Sequence, residues 1–190
     1  MELFKEYSER LQTILRQSNW KNVRALAEAM REGWHQGQQL FLCGNGGSAG
    51  NAIHLANDFL YGVDQKNGLG IKVHALPANS SILTCLANDI SYEDIFSQQL
   101  VVQGNKGDVL IILSGSGNSP NVVKALEQGN RIGMKTFAIL GYSGGRCKEL
   151  AQIPIHFAID DMQISEDLQL VVGHMIMQWL QKHPVSTLEQ

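Results

Sequence analysis

Five short apolar runs do most to decide what this chain can fold into: QLFLC (39–43), KVHAL (72–76), DVLIIL (108–113), TFAIL (136–140) and IPIHFAI (153–159). Between them lie segments of helical pattern: SAGNAIHLANDFLYG, SSILTCLANDI, SPNVVKALEQGNRIG and a short GGRCKELAQ. Strands that are apolar on both faces and spaced by helices need cover on both sides of a parallel sheet. The pattern therefore predicts an α/β fold, a doubly wound parallel five-stranded sheet. With 190 residues and 44% hydrophobic content, the chain can bury one good core, which favours a single domain.

Helical patterns also lie outside the alternating region. Leu3, Phe4, Tyr7, Leu11, Ile14 and Leu15 recur at helical spacing, and WKNVRALAEAMREGW (20–34) follows as a second amphipathic helix. After the last strand, SEDLQLVVGHMIMQWLQK carries a broad apolar face. Such helices either cap the sheet or build a subunit interface. Three exceed what one small sheet needs, so residues 1–36 are assigned to oligomerisation and 37–183 to the α/β domain. The tail HPVSTLEQ is expected to fray. A net charge of −3 argues against a dedicated nucleic-acid or membrane-surface binder. No apolar run approaches the ~20 residues a membrane helix needs, and the charged MELFKEYSERLQ is unlike a signal peptide. These features point to the cytoplasm. The three cysteines, Cys43, Cys85 and Cys147, lie far apart without CxxC spacing, which disfavours a disulfide or a thiolate metal site.

Two strand-to-helix turns are rich in Gly and Ser: CGNGGSAGN (43–51) and SGSGNSPN (114–121). In the first, Gly44, Gly46 and Gly47 permit positive φ and close backbone approach, and Ser48 stands near the start of a helix. In the second, Asn118 or Ser119 can cap a helix whose first residue is Pro120. Backbone N–H groups and hydroxyls converging on helix N-termini hold anions, most commonly phosphate. In open parallel sheets such turns lie at the carboxyl ends of strands, where ligands bind. A dinucleotide fingerprint fails at Ala49, and no Walker lysine follows either turn.

GNGGSA, LANDISYEDIFSQQL, GDVLIILSGSGNSPNVVKALE and GHMIMQWL together resemble the sugar isomerase (SIS) domain of the phosphoheptose isomerase family, and the similarity covers almost the whole chain. The run 114–119 resembles the family's Ser-Thr-Ser-Gly-Asn-Ser, with Gly115 in place of Thr. The resemblance implies that Asn45, Gly46, Gly47 and Ser48, with Ser114, Gly115, Ser116 and Ser119, hold the phosphate of a phosphorylated sugar. It further implies a homotetramer. Asn79, Ser81, Asn88 and Asp89 belong to the same pattern. Asn79 replaces an Asp that commonly contacts substrate hydroxyls; Ser81 either binds phosphate or caps the following helix; Asn88 and Asp89 either end that helix or touch substrate.

Interconverting a ketose and an aldose moves a proton between C1 and C2 through an enediol, which calls for positioned acid/base groups. A divalent metal can polarise the carbonyl. His54 and Asp58 are i and i+4 on one helix and face the same way. Glu166 and His174 are eight apart on the last helix and can share a face. Each residue taken singly has an ordinary structural explanation, as a core histidine or a carboxylate near a helix start. The family carries His-x-x-x-Glu on the early helix, and a Gln followed eight residues later by His. The Glu and later His form its acid/base pair, and all four bind zinc in some members. His54 and His174 match, while Asp58 stands for the Glu and Glu166 for the Gln. The resemblance thus implies Asp58, Glu166 and His174 as catalytic residues, and His54, Asp58, Glu166 and His174 as ligands for one zinc ion per subunit. All four are expected to meet in one cleft. His74 and His156 are expected in the core or at the surface, and His35 and His183 facing solvent.

The implied activity is conversion of sedoheptulose 7-phosphate to D-glycero-D-manno-heptose 7-phosphate, feeding nucleotide-heptose synthesis for lipopolysaccharide or capsule. Rival readings are a non-catalytic SIS-domain protein that binds a sugar phosphate or a replication initiator, or an isomerase of another phosphosugar. His174 disfavours the non-catalytic branch, which has no need of it.

Overall fold

A computed structural model describes residues 1–185; positions 186–190, most of the tail expected to fray, lie outside the described residues. Five parallel strands, β1 (Gln39–Cys43), β2 (Lys72–Ala75), β3 (Val109–Ser114), β4 (Lys135–Leu140) and β5 (Ile153–His156), form one sheet in the order β2-β1-β3-β4-β5. The helices are α1 (Glu2–Gln17), α2 (Lys21–His35), α3 (Gly47–Leu60), α4 (Ser80–Asp89), α5 (Ser97–Gln103), α6 (Pro120–Ile132), α7 (Gly145–Leu150) and α8 (Met162–Lys182). The expected strands all form. IPIHFAI is shorter than its apolar length suggested, ending at His156. Helix α5, within the motif segment LANDISYEDIFSQQL, had no place in the expected element order.

The strands read as continuous apolar runs because both faces are buried. Leu40, Leu42, Val109, Ile111 and Leu113 join a core beneath α2, α3 and α8. Phe41, Cys43, Leu110 and Ile112 join a second core beneath α5, α6 and α7. Helix α8 buries Ile164, Leu168, Val172, Ile176 and Leu180, one every turn or so, and Asp161 caps it by accepting from the Ile164 N–H at 2.9 Å. Helix α2 buries Val23, Leu26, Ala27, Met30 and Trp34 and so is part of the layer covering the sheet. Helix α1 buries no residue and leaves Leu3 and Phe4 68% and 78% exposed. The two N-terminal helices are therefore unlike in what they cover.

After β2 the chain returns past β1 to build β3 on its other side, so the strand order reverses between β1 and β3. Ligands in open α/β sheets bind in the crevice at such a reversal. The two Gly/Ser-rich turns follow β1 and β3, and both open onto it.

Candidate active site

The β1–α3 turn presses closely on its neighbours. A side chain at Gly44 would lie 2.8 Å from Ser48 Cβ and 2.6 Å from the Leu113 carbonyl, and Gly46 takes φ 55°. Ser48 is buried, and its hydroxyl accepts from Gln169 Nε2 at 2.9 Å. Gln169 in turn accepts from Asn51 Nδ2 at 2.9 Å, tying α3 to α8. Asn45 and Asn121 form a reciprocal amide pair, 2.8 Å in each direction, and Tyr92 donates its hydroxyl to Asn45 Oδ1 at 3.3 Å. This pair joins the β1–α3 turn to the start of α6.

In the β3–α6 turn, the Ser114 hydroxyl accepts from the Gly117 N–H at 3.0 Å, and Ser116 Oγ accepts from the Asn118 N–H at 3.3 Å. Ser119 occupies the N-cap of α6 with no side-chain bond to the helix, and Pro120 is the first helical residue. Asn118 faces the other way and accepts from the Arg146 N–H at 3.0 Å. Ser114 thus braces the turn from inside, whereas Ser116 and Ser119, half-buried at its rim, keep hydroxyl protons to donate.

Helices α3 and α8 run side by side in the same direction, from Asn51 against Glu166 and Gln169 to Gly62 against Met177. They pack closely at Gly173, where an added Cβ would lie 2.8 Å from Leu55 Cδ1. That approach brings His54 Nε2 and His174 Nε2 to 3.0 Å with their rings edge-on. Asp58 Oδ2 lies 3.5 Å from the first nitrogen and 3.4 Å from the second. One imidazole must donate and the other accept, so both cannot present an Nε2–H at once. The imidazoles are about half exposed (49% and 46%), while the Asp58 side chain is only 14% exposed.

Glu166 is not part of this cluster, contrary to the expected set of four. Eight residues of helix separate it from His174, a rise of about 12 Å. Sharing a helix face is not sharing a site. Its carboxylate lies instead against the first turn of α3, where a Cβ on Gly47 would meet Glu166 Cδ at 2.5 Å. Among the described residues, the group able to hold an ion is His54, Asp58 and His174, whose ligand atoms lie within 4.8 Å of one another. Two imidazoles and one carboxylate, with a fourth position open, match the donor set of a catalytic zinc site.

The remaining candidates separate by their contacts. Asn79 is the N-cap of α4, accepting from the Ser81 and Ile82 N–H groups at 3.1 and 3.2 Å, which occupies its acceptor oxygen. Ser81 is exposed in the first turn of that helix. Asn88 and Asp89 end it, exposed and bonded to each other at 2.7 Å. His74 of β2 stacks on Phe41 of β1, His156 bonds the Tyr142 carbonyl, and His35 and His183 are exposed. Gln169, Asn121, Tyr92 and Met162 went unnoticed in the sequence. Gln169 and Asn121 sit at helix positions next to motif residues, but only burial distinguishes them from surface amides.

Residues 3–141 match the SIS domain family. The chain is 36% identical over 184 residues to the phosphoheptose isomerase of Helicobacter pylori (strain P12), covering 96% of this chain and 90% of that one. It is 39% identical over 145 residues to the phosphoheptose isomerase of Desulfovibrio desulfuricans, covering 75% and 68%. The fold superposes on the phosphoheptose isomerase of Neisseria gonorrhoeae with a TM-score of 0.87 at 24% identity, covering 95% and 97% of the two chains.

Proposed function

We infer, because this chain belongs to the phosphoheptose isomerase family of SIS-domain proteins, that it interconverts sedoheptulose 7-phosphate and D-glycero-D-manno-heptose 7-phosphate. It is an aldose–ketose isomerase of a phosphosugar, and its product supplies heptose synthesis. The observation that carries the chemistry is the Asp58 carboxylate set between two imidazole nitrogens at 3.4 and 3.5 Å. In this reading Ser116 and Ser119 donate to the phosphate, aided by N–H groups at the start of α6. Seven residues of α3 separate Gly47 from His54, a rise of about 10 Å. That span is comparable to an extended seven-carbon chain, so anchoring the phosphate at the turns positions C1 and C2 near the cluster.

His174 and Asp58 are the groups we assign to proton transfer. The imidazole takes the proton from the carbon bearing the hydroxyl and returns it to the neighbouring carbon, while the hydroxyl proton passes to the former carbonyl oxygen; the Asp58 carboxylate stands 3.4 Å from the His174 Nε2. Glu166, at the mouth of the β1–α3 turn, is assigned to accept from hydroxyls of the sugar chain. One zinc ion per subunit suits His54, Asp58 and His174, and when bound it would polarise the substrate carbonyl. Within the segment 1–36 assigned to oligomerisation, the exposed apolar end of α1 is what supports a homotetramer, since α2 also covers the sheet; 37–183 is the sugar-phosphate-binding domain. Among the described residues no helix is long and apolar enough to cross a membrane. We place the enzyme in the cytoplasm, serving lipopolysaccharide or capsule synthesis.

The test is turnover of sedoheptulose 7-phosphate by the wild type, Asp58→Asn, His174→Ala and Ser116→Ala, each with added zinc and with chelator. Loss of turnover in the first two variants, and a KM raised about tenfold or more in the third, are expected, since a hydrogen bond to a charged group is worth roughly 1.5–3 kcal/mol. A wild type inactive under every metal condition overturns the reading. The departures at Gly115, Asn79 and Glu166 favour, as a second reading, a different phosphosugar as substrate.

A further inference from the structure

Helix α8 begins over the strand ends, and its first turns meet bare glycines. A Cβ at Gly115, in the β3–α6 turn, would lie 2.6 Å from Met162 Sδ and 3.1 Å from Met162 Cε. A Cβ at Gly141, at the end of β4, would lie 2.7 Å from Ser165 Cβ, and Gly47 meets Glu166 one helical turn beyond Met162. The space that a side chain at 115 would fill is therefore already filled by the end of the Met162 side chain. Tyr142 closes it from the other side, with its ring carbon Cε2 3.6 Å from the same point. Tyr142 is the sole non-glycine residue of positive φ (43°) among those described, held by bonds from its N–H to the Ile159 carbonyl and from His156 to its own carbonyl. Strain of this kind persists only where the surroundings enforce it.

Met162 is itself well anchored. It is the first residue of α8; Asp161 before it caps the helix and accepts from Arg10 of α1 at 2.7 Å. Met162 remains 37% exposed, and Gly115, against which its thioether lies, directly precedes Ser116 in the turn.

We propose that Met162, standing where a side chain at position 115 would stand, is a specificity-determining residue that gives the cleft an apolar wall beside the phosphate turn. The proposal rests on the phosphosugar reading above and deepens it. A thioether and a ring face present carbon and sulfur to the sugar chain and offer no strong hydrogen bond, so this wall contacts the C–H faces of the carbons nearest the phosphate. An apolar wall discriminates weakly for or against a hydroxyl, whereas a hydroxyl-bearing residue such as Thr at 115 discriminates strongly against a substrate lacking its partner.

The experiment is a four-member cycle: wild type, Gly115→Thr, Met162→Ala and the double variant. Each is assayed for turnover of sedoheptulose 7-phosphate, fructose 6-phosphate and ribulose 5-phosphate, and for binding of the same three by calorimetry. Met162→Ala is expected to raise KM for sedoheptulose 7-phosphate about tenfold with kcat little changed, as for a lost apolar contact. Gly115→Thr alone should weaken binding because its side chain displaces the flexible end of Met162 from the wall. The double variant should recover affinity relative to Gly115→Thr and rank the three sugars differently from wild type. Additive effects, or KM values unmoved in Met162→Ala, overturn the proposal. If the wild type binds these sugars without turning them over, the isomerase reading fails while the binding cycle still decides on Met162. Absence of binding to all three overturns both.

Discussion

Gly173→Ala is the change that most directly tests whether helix contact assembles the cluster. The new Cβ would lie 2.8 Å from Leu55 Cδ1 and 3.1 Å from Leu55 Cγ, with Cδ2 closer still. Carbon atoms settle at ~3.5–4.0 Å, so the misfit is about 1 Å at Cδ1 and larger at Cδ2. It reaches the branch point of a side chain only 1% exposed, so a methyl rotation does not relieve it. Overpacking of this kind costs about 1–3 kcal/mol, and replacing a helical Gly with Ala returns about 0.8–1.0 kcal/mol. The net destabilisation is then about 1 kcal/mol, a fall in Tm of roughly 2–4 °C for a chain of this size. The functional effect should be far larger. Helices forced apart at Gly173 separate His54 from His174 in the next position, and misplacement by 1 Å can cost on the order of 100-fold in rate. Denaturant unfolding should thus show a folded, slightly weakened protein, while turnover of sedoheptulose 7-phosphate falls at least tenfold. Adding Leu55→Val, which removes about one methylene, should restore part of the turnover without restoring stability. Full activity in Gly173→Ala, or strictly additive losses in the double variant, would refute the reasoning.

Gly47→Ala should leave the fold intact, because it displaces only the mobile end of Glu166; sugar-phosphate affinity should fall, and Glu166→Gln should add little in the same chain, as read by calorimetry. The Tyr7 phenol is pushed up to about 12, first by burial and then by its bond to the Asp167 carboxylate. Its folded value lies above its unfolded one, so its contribution is complete below pH ~10 and is lost as pH rises towards 12. The stability difference between wild type and Tyr7→Phe, measured by denaturant unfolding, should shrink over that interval and stay flat below it. Asp94 is held below the usual carboxylate range, chiefly by Lys124 at 2.9 Å and then by Ser91. Its contribution is present above the unfolded value near 4 and lost as pH falls; Lys124→Met should flatten that acid limb of the stability profile.

Much of the frame is local and therefore legible along the chain. Runs such as Val109–Leu113 are apolar on both faces because a covered parallel sheet demands it, and Gly46, Pro120 and Ser119 mark turns through their own backbone preferences. Even so, α5 was hidden because its seven residues are too few to show a period. Asn79 illustrates another limit: the same amide serves as a substrate contact or a helix cap, and only the positions of the Ser81 and Ile82 N–H groups decide which.

The sequence by itself determined the strands, the two Gly/Ser turns and the pairing of His54 with Asp58 on one helix face, since each follows from spacing within a single segment. Tertiary structure alone decided the rest. The return past β1 to form β3 set both turns at one crevice, a matter of strand order that no local period encodes. The contact at Gly173 brought His174 to His54, because a residue without a side chain lets Leu55 of the other helix pack against the backbone there. The same helix carried Glu166 about 12 Å away from them, since a face fixes direction and the rise per residue fixes distance.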